Sequence, residues 1–219
     1  TKEVKSSDYT LTVKDYNSMK VGTYQVTVKM KKTNVSATYD ITVSPANKLK
    51  VLMIGNSFAD DTINYAYEIA KNSGIPEENI LVADIYIGGC SLATHWSNAQ
   101  SNAAAYRFGL EKEGWFDGSS YTNWTMEQAI KYADWDFITF QQVSGYSGIA
   151  ESYNDLYELV NIVEPLNPSA RLAWNMTWAY QANSTHGDFS KYGKNQMTMY
   201  NAITDCVEKY IVPNEAFDG

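Results

Sequence analysis

The hydrophobic rhythm of the chain changes near residue 48, and that change limits the folds open to it. Before it, Tyr9-Thr10-Leu11-Thr12-Val13, Gly22-Thr23-Tyr24-Gln25-Val26-Thr27-Val28 and Ala37-Thr38-Tyr39-Asp40-Ile41-Thr42-Val43 alternate with period two and are rich in β-branched and aromatic residues. Turn-formers separate them at short intervals, the pattern of an antiparallel sheet with one buried face. After it, apolar runs at 49–55, 80–86, 136–142 and 170–176 alternate with helical patterns at 58–73, 91–104, 125–133, 150–165 and 191–210. Strands that alternate with helices imply βαβ units and a parallel sheet covered on both faces. Pro165 and Pro168 stop the fourth helix before the next strand. Residues 106–124 break the rhythm, with Tyr106-Arg107-Phe108, then Gly114-Trp115-Phe116-Asp117-Gly118, then Tyr121. A hairpin with a glycine-rich turn and an irregular loop both fit that stretch.

The expected organisation is therefore a small β module with its linker over 1–46 and an α/β domain over 47–219. Ser44-Pro45-Ala46-Asn47 reads as the linker. The first module is short for a free-standing sandwich of about 100 residues. In an alternating fold a strand should follow the last helix, and Phe217 is its candidate first residue.

Composition narrows the function. The net charge of −8 comes from dispersed acids rather than an acidic tail. It argues against nucleic acid, whose phosphates need a basic surface, and fits a neutral substrate such as a sugar ester. No apolar run is long enough to cross a membrane as a helix. The polar start, Thr1 to Lys5, is not a signal peptide. Cys90 and Cys206 are the two cysteines. They do not make a disulfide framework, and no Cys/His spacing for zinc occurs. No metal or other cofactor is expected. Abundant Tyr, Trp, Asn, Ser and Thr, with modest Lys and Arg, reads as an extracellular composition.

Three turns at the ends of expected strands carry candidate chemistry. In Lys50-Val51-Leu52-Met53-Ile54-Gly55-Asn56-Ser57-Phe58 a glycine turn ends a buried strand and a serine stands at the mouth of a helix. Ser57 fits a nucleophile lifted above the sheet edge, and equally an ordinary N-cap serine. In Ile87-Gly88-Gly89-Cys90-Ser91 the paired glycines fit oxyanion donors, or simply a tight turn. In Phe140-Gln141-Gln142-Val143-Ser144-Gly145 a glutamine amide fits a donor to a developing oxyanion, or a partner for nearby backbone. Open parallel sheets place their sites at this edge. Trp96, Tyr146, Trp174, Trp178 and Tyr180 lie near the same loops. Trp174 reads as core, while Trp178 and Tyr180 lie past a strand end and are better placed to line a site. Asp84, Asp134 and Asp136 read as strand-flanking.

At these residues the chain resembles the SGNH, or GDSL-like, hydrolases over about 48–219. Gly55-Asn56-Ser57-Phe58 looks like the family's first block, with Asn56 where many members have Asp. Gly89 matches the glycine of its second block. Gln141-Gln142 falls where the third block offers an oxyanion asparagine. The phrases IGNSF, YIGGCSL, QQVSGYSG and MTWAYQ look like one bacterial branch of that family. Gly22 to Val28 and Tyr39 to Val43 resemble the second half of a bacterial immunoglobulin-like repeat. The resemblance implies a flavodoxin-like three-layer parallel sheet and a carboxylester hydrolase acting on acylated carbohydrate or small esters. It implies Ser57 as nucleophile, with Gly89 and Gln142 (Gln141 second) around the oxyanion. It also implies an extracellular or cell-surface protein.

The family's base is a histidine in an Asp-x-x-His block, and no such block occurs in the 219 residues. His95 lies near a helix start and reads as structural or substrate-facing. His186 sits in a polar loop and reads as substrate-lining beside Trp178 and Tyr180, with the role of base as its alternative. The C-terminal strand, loop and helix that would carry the base are expected to be missing from this chain. The competing reading is a non-catalytic glycan-binding or adhesion protein on a degenerate hydrolase fold. A flavodoxin-like cofactor binder is disfavoured, because no phosphate-cradling glycine-rich loop appears.

Overall fold

The computed structural model describes residues 5–14, 22–33, 35–43, 48–111 and 120–217. The linker residues 44–47 and the expected glycine-rich turn at 114–118 lie outside them. Three strands, β1 (Tyr9–Val13), β2 (Gly22–Met30) and β3 (Ser36–Val43), form an antiparallel sheet in the order β1-β2-β3. Its register centres on Val26, which pairs with Val13 and Tyr39. Val26 is also the one buried hydrophobic side chain among the described residues of this sheet, while Leu11 and Tyr39 are half or more exposed. The period-two alternation is present, but among the described residues the other hydrophobic side chains of the sheet are at least partly exposed.

The remaining strands form a second, mostly parallel sheet: β4 (Leu49–Gly55), β5 (Ile80–Tyr86), β6 (Tyr106–Glu111), β7 (Ser120–Trp124), β8 (Phe137–Phe140) and β9 (Arg171–Trp174). The order is β7-β6-β5-β4-β8-β9, with β5, β4, β8 and β9 parallel. Strands β6 and β7 are antiparallel additions, so Tyr106–Glu111 and Ser120–Trp124 pair as the two strands of the expected hairpin. Phe217 makes an isolated parallel bridge to Leu172 on β9, as expected of the residue that starts a following strand.

Among the described residues five helices follow the strands: α1 (Ser57–Asn72), α2 (Leu92–Gln100), α3 (Met126–Ile130), α4 (Leu156–Asn161) and α5 (Gln196–Tyr210). Alternate residues of β4 point to opposite layers. Val51 and Met53 pack with Ala59, Ile63 and Tyr67 of α1, whereas Leu52 and Ile54 pack with Leu92, Met126 and Leu156 on the other side. Helices therefore cover both faces, as β-strands buried on two sides require. Several helices are shorter than the sequence pattern. Asn102 ends α2 with a φ of 47°, a left-handed C-terminal stop. Gly193, at φ 60°, separates a 3-10 turn over Gly187–Tyr192 from α5. A 3-10 turn over Ala150–Tyr153 replaces the start of the fourth helix. Cys90 and Cys206 are buried free thiols, and burial pushes the Cys90 thiol up to about 12.

Candidate active site

The chain leaves β4 on one side for β5 and returns on the other as β8. The C-terminal end of β4 is thus a topological switch point, where the flanking connections diverge and open a crevice. Gly55 closes β4 there. A Cβ on it would stand 2.7 Å from the Ala59 Cβ and 2.8 Å from the Gln141 Cδ, so only glycine lets these three segments meet. The next residue, Asn56, is fully buried and caps α1: its Oδ1 accepts from the Phe58 N–H at 3.1 Å. Asn56 thus takes the capping role that the sequence left open for Ser57. Ser57 is the first helical residue and is exposed. Among the described residues, its hydroxyl and its N–H have no hydrogen-bond partner.

Beside it, Ile87-Gly88-Gly89-Cys90 makes a turn closed by Cys90 N–H to Ile87 O at 3.2 Å. Gly89 takes φ 64° at its third position, where a side chain would be strained. Two bonds hold this turn to the β4 end: Ile87 N–H to Gly55 O at 3.3 Å and Asn56 Nδ2 to Cys90 O at 2.9 Å. The Gly89 N–H has no internal partner among the described residues. The structure therefore brings Ser57 and the Gly89 turn together.

The two glutamines after β8 point to opposite layers. Ile138 and Phe140 face the α2 side, and Gln142 continues that face. Its Oε1 accepts from the Leu92 N–H at 3.1 Å and the Val143 N–H at 2.7 Å, and its Nε2 donates to Ser152 O at 2.7 Å. Gln142 is 1% exposed. This corrects the expectation that it faces an oxyanion: its amide caps the start of α2. Gln141 faces the other way. Its Nε2 donates to Asn56 Oδ1 at 2.6 Å, and its Oε1 accepts from Asn175 Nδ2 at 2.9 Å. Asn175 also donates to Thr62 Oγ1 at 3.2 Å, and Thr62 Oγ1 donates to Phe58 O at 2.9 Å. This chain of neutral amides links the ends of β4, β8 and β9 to the first turn of α1. Sequence reasoning missed its use of Asn56, Thr62 and Asn175; polar residues just past three strand ends were the available signal.

Trp178 lies against Phe58 at a ring distance of 4.4 Å and is 47% exposed, so it forms a wall next to Ser57. Trp174 is core, packed with Tyr153 and Phe217. Tyr180 hydrogen-bonds Ser144 Oγ at 2.7 Å and packs on His186 at 4.8 Å. His186 caps the Gly187–Tyr192 turn: its Nδ1 accepts from the Asp188 N–H at 3.3 Å. The same Nδ1 lies 3.9 Å from Asp188 Oδ2, so His186 is tied to its own turn from both sides. His95 is fully buried, with Nδ1 bonded to the Tyr106 hydroxyl at 3.0 Å. Burial pushes it down to about 3, so it stays neutral and structural.

Next to this edge, Arg107 donates to Asp60 Oδ1 at 2.6 Å and Asp84 Oδ2 at 2.9 Å, and its guanidinium lies 4.3 Å from the Tyr86 ring. Asp60 is one turn after Ser57 on α1. Asp84 is inside β5 and fully buried rather than strand-flanking, a second correction. Burial pushes its carboxyl up to about 7, against the pull of Arg107. Asp136 does flank its strand, accepting from the Lys50 N–H at 2.8 Å. Among the described residues no group of three or more His, Cys, Asp or Glu side chains could hold a metal ion.

A six-stranded, mostly parallel sheet with polar turns at its switch point defines an α/β protein of the class that binds ligands at the strand ends. Residues 50–215 match the family described as "Domain of unknown function (DUF4886)", and the chain belongs to that family. Residues 1–43 match the bacterial Ig-like domain (group 3), in agreement with the immunoglobulin-like resemblance. A DUF4886 family protein from Bacteroides uniformis ATCC 8492 is 39% identical with a TM-score of 0.68, over 74% of this chain and 62% of that one. The chain thus spans about three-fifths of the length of that relative. A candidate SGNH hydrolase from Slackia heliotrinireducens is 18% identical with a TM-score of 0.42, over 75% of this chain and 76% of that one. No curated protein matches the chain.

Proposed function

We propose that the protein is a serine ester hydrolase of SGNH type that removes acyl groups, acetyl among them, from carbohydrate or small esters. The observation that carries this reading is the division of labour at the helix start. Asn56 caps α1, so Ser57 stands exposed at the switch point with its hydroxyl uncommitted, against the Gly89 turn. In this reading Ser57 Oγ attacks the acyl carbon, and the N–H groups of Ser57 and Gly89 hold the developing oxyanion. Gln142 acts at one remove, by fixing α2. Trp178 and Phe58 form an apolar wall for the acyl group or sugar ring. The alcohol leaves, and water releases the acyl group from Ser57.

The base is assigned to a histidine outside residues 1–219, because His95 is buried and His186 is engaged with Asp188 in capping its own turn. The Ig-like segment fits a spacer on an extracellular or cell-surface protein; among the described residues no helix is long and apolar enough to cross a membrane. The test is hydrolysis of p-nitrophenyl acetate and of acetylated xylo-oligosaccharides by this chain and by a C-terminally longer form. The longer form should turn over, this chain weakly, and Ser57→Ala should abolish the difference. A Ser57→Ala protein as active as its parent would end the reading.

A further inference from the structure

The hairpin at the far edge of the second sheet carries a feature that the Ser57 edge does not use. The register slips along β6 and β7: Tyr106 faces Trp124, whereas Phe108 faces Tyr121. The extra residue is on β7, where Asn123 takes a left-handed φ of 63°. A bulge of this kind re-aims the side chains that flank it. Strict alternation would put Tyr121 and Trp124 on opposite faces. With the bulge, both pack on Phe108, at 6.4 Å and 4.1 Å, the second pair within 7° of parallel. Tyr132 joins them at 4.9 Å from Phe108 and 5.9 Å from Trp124. Tyr121 and Tyr132 nevertheless stay 50% and 46% exposed.

Of these rings Trp124 also lines a cleft of about 450 Å³, together with Asn102, Thr125, Glu127, Gln128 and Lys131. Its lining selects a ligand chemistry. The indole offers an apolar surface for C–H groups. Gln128 Oε1 is held by the Thr125 N–H at 2.9 Å, which orients its NH₂ as a donor, and Asn102 adds a second amide. Lys131 and Glu127 bond each other at 2.5 Å, so the cleft carries compensated charge. An anionic ligand would want an uncompensated cation. A purely apolar partner would leave the amides without hydrogen bonds. An uncharged, polyhydroxylated molecule satisfies both the ring and the amides.

We propose that this face binds a neutral oligosaccharide, at a site separated from β4 by strands β5 and β6. It is independent of the hydrolase reading, since no Ser57-edge residue takes part. The test is affinity electrophoresis of the whole chain in gels containing galactomannan, xyloglucan, mixed-linkage β-glucan or arabinoxylan. Isothermal titration with the matching hexasaccharide gives the affinity. At least one polysaccharide should retard the chain. Trp124→Ala should weaken binding about tenfold, the loss of one good stacking contact. Tyr132→Ala and Gln128→Ala, both at exposed positions, should each weaken it by about threefold in protein that thermal unfolding shows to be fully folded at the assay temperature, which separates binding from the cap and ring contacts these side chains also make. Three results would overturn the proposal. One is no retardation by any of the four polysaccharides. A second is binding lost in Trp178→Ala but kept in Trp124→Ala, which moves the ligand to the Ser57 edge. The third is a dimer in light scattering that Tyr132→Ala disperses, which makes the face a self-interface.

Discussion

The two sheets of this protein are built from similar β-formers and differ in what covers them. In the three-stranded sheet, threonines face each other across strands, as with Thr23 and Thr42 or Thr27 and Thr38, and Val26 is its buried hydrophobic centre. In the six-stranded sheet both faces are covered, and even its polar residues are buried: Asn56, Asp84, Gln141 and Gln142 are at most 1% exposed. Buried polar groups are tolerated only when hydrogen-bonded, and a satisfied network fixes one geometry. The side-chain hydrogen bonds of the first sheet are exposed ones. The second holds Asn56, and with it the position of Ser57, through partners on three strand ends. The contrast teaches where precision resides: in the amide chain at the switch point, not in the amount of β structure.

The largest effect expected from breaking this contrast is on turnover. Ser57→Ala in the form that hydrolyses esters should lose roughly 10³-fold or more in kcat, while removal of residues 1–47 should leave kcat within about twofold. Next comes the ion cluster. Arg107→Gln leaves Asp84 buried without its cation and should cost about 3–5 kcal/mol in chemical denaturation. The pH dependence has a definite sign. A carboxyl raised to about 7 in the folded state, against about 3.9 unfolded, holds its proton better when folded. Its contribution to stability is therefore greatest below about pH 4 and falls as pH rises to about 7. Without Arg107 the window extends upward, so the variant should be less impaired at pH 5 than at pH 8.

Smaller effects sharpen the comparison. Gln141→Ala should cost about 1–3 kcal/mol by leaving Asn56 and Asn175 partly unsatisfied, and should lower kcat with it. Gln142→Ala should cost a similar amount with KM and kcat reduced no more than folding explains. A selective loss of roughly 10²-fold in kcat would return Gln142 to the oxyanion. Native-state hydrogen exchange should show β1–β3 opening before β4, β5 and β8. Equal protection in both sheets would remove the contrast. Thr23→Ala should shift stability by no more than about 0.5 kcal/mol, the scale of one exposed cross-strand pair.

Much of this fold was legible in the residues. The run from Lys50 to Phe58 predicted strand, glycine turn and helix within one or two positions, because a buried strand bounded by glycine has few alternatives. The boundaries of α2 and α4 were not, since Asn102 and the 3-10 turn after Ile149 stop helices by local geometry that periodicity does not register. Ser57 and Gly89 could be placed from the sequence in the turns after β4 and β5, and those two turns do bond to each other. The roles of Gln141 and Gln142 were not legible. Neighbours on a strand point to opposite layers, and which layer holds the α2 start is a tertiary fact. Read with Ile138 and Phe140, Gln142 does continue the face of the larger core. Asp84 looked like a flank because its cation, Arg107, comes from an antiparallel strand that the alternating pattern did not require.

The most direct test of the central claim, that Ser57 is the nucleophile at this edge, is labelling with a fluorophosphonate followed by mapping of the modified residue by mass spectrometry. Labelling should be slow in residues 1–219 alone and fast in a longer form that supplies a base, in both cases on Ser57 and absent in Ser57→Ala. Fast labelling of a longer form on any other serine, or none on Ser57 in a form that hydrolyses esters, would contradict it.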